Sequence, residues 1–73
     1  MNSIYPNLDT EMAKRNIDYR DLAKEIGISD MAMYRRMIGV TRWSLHEAIR
    51  ISWLLNGVDI HKLFEKRTEE GGN

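Results

Sequence analysis

Helix-capping residues and glycines alternate along this chain, and their spacing leaves room only for short helices. Gly27, Gly39 and Gly57 each follow a helix-like segment, where a residue free to adopt positive φ is wanted. Asp18 precedes Tyr19–Ile26, Ser29 precedes Asp30–Ile38, and Asp59 precedes Ile60–Phe64. Ser44, with Glu47 three residues later, makes a capping box ahead of a long apolar-periodic run. The pattern predicts five helices, over 8–16, 19–26, 30–38, 45–56 and 60–66. No stretch alternates polar and apolar residues as a strand would. The expected fold class is all-α, a five-helix domain over 8–66, with a flexible lead-in over 1–7 and a frayed tail over 67–73.

One core can be drawn from this pattern. It takes in Leu8, Met12, Ile17, Leu22, Ala23, Ile26, Ile28, Met33, Met37, Trp43, Leu45, Ala48, Ile51, Ser52, Leu55, Val58, Leu63 and Phe64. At 73 residues the chain holds one domain and no more. Its modest core implies a stability of only ~3–5 kcal/mol, which a partner or a dimer interface would raise.

Composition removes several function classes. Eleven Lys/Arg balance eleven Asp/Glu, so binding to nucleic acid through net charge alone is not expected. Absence of cysteine excludes disulfides, thiolate zinc sites and thiol catalysis, and favours a reducing cytoplasm. No signal peptide opens the sequence, and the longest apolar run, Trp53-Leu54-Leu55, is far too short for a membrane span. His46 and His61 fall on different helices with no third ligand at metal spacing. Ser29, Ser44 and Ser52 each have a capping or packing role, and no glycine loop is built to cradle phosphate. The chain therefore reads as a non-enzyme without cofactor or metal.

Tyr19 to Ile38 is the informative stretch. Small Ala23 lets a second helix approach, Gly27 permits a sharp turn, Ile28 is a buried link, Ser29 caps the next helix, and Met33 anchors it. Leu22-Ala23, Gly27-Ile28-Ser29, Met33, Gly39, Ser44-Leu45, Glu47-Ala48, Ile51-Ser52, Leu55, Val58 and Leu63-Phe64 resemble the Cro/repressor-type helix-turn-helix regulators of phages and bacteria. The stretch Gly39-Val40-Thr41-Arg42-Trp43-Ser44-Leu45 looks especially like small Gram-positive phage regulators. The resemblance covers about residues 8–64. It implies a lambda-repressor-like fold whose helix 30–38 enters the DNA major groove. Carried over by position, the DNA-binding candidates are Tyr19, Arg20, Ser29, Asp30, Met31, Ala32, Tyr34, Arg35 and Arg42. Tyr19 and Arg20 would meet phosphate, Arg35 would grip a guanine, and Arg42 would clamp the backbone. The resemblance also implies double-stranded operator DNA as partner and a role in a repressor/Cro-like genetic switch.

The chain departs from that pattern in its second motif helix. Met31, Ala32, Met33, Tyr34, Met37 and Ile38 make it unusually apolar, and Arg36 stands where the family often buries an aliphatic residue. The alternative reading is an antirepressor that binds a partner phage repressor through Met31, Tyr34, Arg35 and Ile38. Asp30 suits a helix start and opposes phosphate. By segment, residues 1–34 carry a net charge of −2, 35–50 of +3 and 51–73 of −1, so positive charge gathers in and after helix 30–38. On helix 45–56, Ile49 and Trp53 lie one turn apart and, with Ile60, form a candidate homodimer patch. Arg50 reads as a solvated helix residue. A third reading is the DNA-binding part of a longer repressor.

Overall fold

The computed structural model describes residues 2–67. Five helices and no strand occur among them: α1 (Pro6–Lys14), α2 (Tyr19–Ile26), α3 (Asp30–Met37), α4 (Leu45–Leu54) and α5 (Ile60–Leu63). Each of α2 to α5 begins on the side chain expected to cap it. Asp18 accepts from the Arg20 amide, Ser29 from Ala32, Ser44 from Glu47 and Asp59 from Lys62. Around Asp18–Asp21 and Ser44–Glu47 the bonding is reciprocal, which satisfies donors that a helix start leaves free. α1 has no side-chain cap and instead starts at Pro6, whose missing N–H is no loss in a first turn.

Gly27 adopts φ +79°, and Ala23 O accepts from both the Gly27 and Ile28 amides. This closes α2 and turns the chain sharply into α3. α2 and α3 are the most extensively packed pair of helices. Leu8, Leu22, Met33, Met37, Ile51, Leu55 and Leu63 are fully buried where the elements converge, with Ala23 at the α2–α3 crossing. The Cα radius of gyration is 11.7 Å, close to the about 11 Å usual for a compact chain of this length.

The structure corrects the sequence reading in the lead-in, at Leu45 and at the helix ends. Ser3 and Tyr5 of the expected flexible lead-in are buried. Ser3 O–H and N–H bond to Tyr5 O and Asp9 Oδ2, and the Ile4 amide donates to Met37 O at 3.0 Å. Ile4 also lies across Gly39, where a Cβ would come within 2.7 Å of its Cδ1. Leu45, placed in the core, is 69% exposed because it is the first residue of α4 and no element covers it. α5 ends at Leu63 rather than at 66, and the chain then runs back so that the Arg67 amide donates to Ile4 O at 2.7 Å. α1, α3 and α4 also end one or two residues early. Asn16 and Asn56 adopt left-handed φ of 54° and 65° just beyond α1 and α4. Of the expected tail, 68–73 lies outside the described residues.

Candidate nucleic-acid interface

α3 is built with two unlike sides. Met33 and Met37, one turn apart, are fully buried. The opposite side carries Met31 at 57% exposure, Tyr34 at 41% and Ile38 at 38%, together with exposed Arg35. Asp30 is exposed at the helix start, and Ser29 is occupied as the cap, its Oγ 3.0 Å from the Ala32 amide nitrogen. Ala32 is half-buried.

Tyr34 meets Tyr19 of α2 at a centroid distance of 6.0 Å, so the exposed aromatic face continues across the two helices. Arg20, expected to face phosphate, lies 5.8 Å from the Tyr19 ring centre and reaches Asp18 through Nε and Nη2 at 3.2 and 2.8 Å. The Arg20 side chain and its amide together lower the Asp18 carboxyl to about 2. Both partners are well exposed, so the pair is weak and open to exchange for another anion.

Arg35 and Arg42 have no ion pair or side-chain hydrogen bond among the described residues. The loop that carries Arg42 is fixed by Arg35 O, which accepts from the Val40 and Thr41 amides at 2.9 and 3.2 Å. Other basic residues are engaged in the fold. Arg15 donates to Leu55 O at the end of α4, and Arg67 donates to Ser3 O. Arg50 donates to Glu25 O at 2.6 Å near the end of α2, so it is not a freely solvated helix residue. Cations at helix C-termini neutralise the local dipole. Those so used add little to a field that would draw an anionic ligand.

Arg36 is a structural residue whose partners the sequence reading left unassigned. Its Nε and Nη2 donate to Glu47 Oε1 and Oε2 at 3.0 and 3.1 Å, and Nη1 donates to Ala32 O. Glu47 Oε1 also accepts from the Ser44 amide at 3.1 Å. Burial alone would raise the Glu47 carboxyl, but the Arg36 and Ser44 donors outweigh it and the net shift is downward. One carboxylate thus joins α3 to the start of α4. The sequence signal was an arginine at a position better suited to an aliphatic residue.

The dimer candidates are divided in exposure. Trp53 is 72% exposed and does not cover the core, whereas Ile49 and Ile60 are half-buried. Leu45, Ile49 and Trp53 follow one another at four-residue spacing along the outside of α4. At the start of α4, Trp43 packs on Phe64 and Tyr5 at 5.1 and 6.3 Å. Burial raises the Tyr5 phenol, and the nearby Trp43 indole N–H offsets this only in part. That N–H is buried and finds no acceptor in hydrogen-bond geometry.

Among the described residues no three His, Asp or Glu side chains gather as a metal site, and no helix is long and apolar enough to cross a membrane. No protein-family model, curated protein or solved structure matches the chain.

Proposed function

We propose that the chain is a sequence-specific DNA-binding transcription regulator of the Cro/repressor type, in which α2 and α3 form the helix-turn-helix. The observation that carries this reading is the outward side of α3. A capped helix, pinned by Met33 and Met37, presents Met31, Tyr34 and Arg35, with Arg42 in the loop that follows, both arginines without an ion pair among the described residues. Set into a major groove, Arg35 reads a guanine, an interaction worth about 1–3 kcal/mol of discrimination. Met31 and Tyr34 supply apolar contact to thymine methyls. Arg42 holds phosphate on one side of α3, and Tyr19 with Arg20 at the start of α2 on the other. Asp30 and Ala32 sit near the leading edge, where Asp30 accepts from a cytosine amine or turns to solvent. Two copies, paired through Trp53, Ile49 and Ile60, would read half-sites about one DNA turn apart, in a cytoplasmic genetic switch.

A salt series on operator-sized duplexes from the parent genome tests this. Affinity is expected to fall steeply with salt, and Arg35→Ala to relax the choice of sequence by about ten-fold or more. Absence of salt-sensitive binding to any fragment overturns the reading.

The exposed apolar run Met31, Tyr34, Ile38 and Val40 favours a second reading, an antirepressor that covers a partner repressor with this face and Arg35. Co-elution with the repressor at micromolar concentration supports it, and separate elution ends it.

A further inference from the structure

A shallow groove lies where the α3–α4 loop, the first turns of α4 and the α5 region meet. Its lining is largely apolar: Tyr5, Trp43 and Phe64 in mutual edge or tilted contact, with Leu45, Ala48 and Ile60. Its volume of about 480 Å³ takes one or two large side chains and falls within the range of ordinary ligand sites. Arg42 and Lys66 also line it. Neither has an ion pair or side-chain hydrogen bond among the described residues, although Arg15, Arg20, Arg36 and Arg67 each reach a carboxylate. Among the described residues no carboxylate lines the groove.

We propose that this groove docks a segment of a partner protein carrying a large apolar side chain flanked by carboxylates. The apolar side chain covers Leu45 and rests on Trp43 and Phe64, while the carboxylates pair with Arg42 and Lys66. Charge separates this occupant from the others. A phosphate backbone matches the two cations but leaves Leu45 and Ile60 in water. Of the apolar side chains a second copy exposes, Trp53 has no carboxylate one turn away, and Met31 has Asp30 beside it but also Arg35 one turn on, so neither brings a carboxylate on each side for Arg42 and Lys66. Residues 68–73 bring Glu69 and Glu70 but no apolar side chain. Docking does not depend on what α3 binds, although the groove shares Ile60 with the proposed dimer contact. Only its consequence rests on the DNA reading: an occupied groove withdraws Arg42 from phosphate.

Nitrogen-15 NMR titration of the full chain tests the proposal without DNA, so failure of the DNA reading leaves its result unchanged. The probe is a six-residue peptide, Leu-Phe with two acidic residues on each side. The two tryptophans give two indole N–H signals, Trp43 reporting the groove and Trp53 the outer stripe of α4. Saturable shifts are expected at the Trp43 indole and the Leu45 and Ile60 amides, with the Trp53 indole unmoved. Replacing the peptide's carboxylates by amides is expected to weaken binding by about five-fold. The exposed pair Arg42→Glu/Lys66→Glu is expected to weaken it by about ten-fold or more, the rest of the spectrum unchanged. The proposal is overturned if no saturable shift appears by millimolar peptide, if Trp53 moves in place of Trp43, or if either charge change leaves affinity intact. A several-fold gain in the full-chain variant Glu69→Gln/Glu70→Gln would also overturn it, by making the tail the occupant.

Discussion

Glu47 serves two ends at once: it closes the capping box of α4 and grips the Arg36 guanidinium of α3. Arg36 and Glu47 are 17% and 18% exposed, between a surface pair and a buried one, so Glu47→Gln is expected to destabilise by about 1–2 kcal/mol. The sign of the pH effect follows from the lowered carboxyl. A group whose folded pKa lies below its unfolded value stabilises fully above the unfolded value, and that stability is lost as pH falls through the folded one. Urea midpoints taken downward from pH 6 should therefore decline through and below the ordinary carboxylate range, and less steeply in Glu47→Gln. Equal slopes would show that the pair does not couple folding to protonation. Arg36 belongs to the same lesson in reading sequences. An arginine four residues after Ala32 and eleven before Glu47 gives no local signal of either partner, because the pair forms only once α3 and α4 are placed.

At the scale of elements, legibility followed local chemistry. The starts of α2, α3, α4 and α5 were readable because each depends on a side chain reaching an amide two or three residues on. The start of α1 was not, because Tyr5 offers no cap and Pro6 alone marks the first turn. Helix ends were overrun where Asn16 and Asn56 take the left-handed conformation more often adopted by glycine. Leu45 shows the limit of periodicity: it lies on the α4 stripe by spacing, yet a first-turn residue is buried only if something precedes it in space. For the candidate site, spacing separated the buried Met33 and Met37 from Met31, Tyr34 and Ile38. It could not show that Arg20 and Arg50 are engaged while, among the described residues, Arg35 and Arg42 have no side-chain partner. α3 has eight residues and is marginal alone, so its cap matters. Ser29→Ala is expected to lose about 1 kcal/mol in urea denaturation, and amide exchange should quicken first at Ala32. Unchanged protection there would mean that packing alone sets the start of the helix.

Across the whole molecule, stability gathers where distant parts of the chain meet. Tyr5 is 4% exposed and touches both Trp43 and Phe64. Tyr5→Ala is expected to remove about 3 kcal/mol, most of the ~3–5 kcal/mol a domain of this size commands. Thermal melting checks this, and a variant that melts like the parent would deny the N-terminal segment a place in the core. Trp53, 72% exposed, is expected to behave in the opposite way. Trp53→Ala should leave the stability of the single chain within about 0.5 kcal/mol and, if the proposed dimer forms, shift sedimentation toward the monomer. Sedimentation unaltered by the substitution would remove Trp53 from the proposed dimer contact.

The hydrogen bonds of Ile4 to Met37 and to Arg67 carry one more consequence. They bring the described ends of the chain side by side, while the turn at Asn56–Gly57 is exposed. A short bridge from 67 to 2, which keeps the buried Ser3, with new termini opened at that turn would give a circular permutant with every helix intact, since chain ends that lie close together are what such rearrangements require.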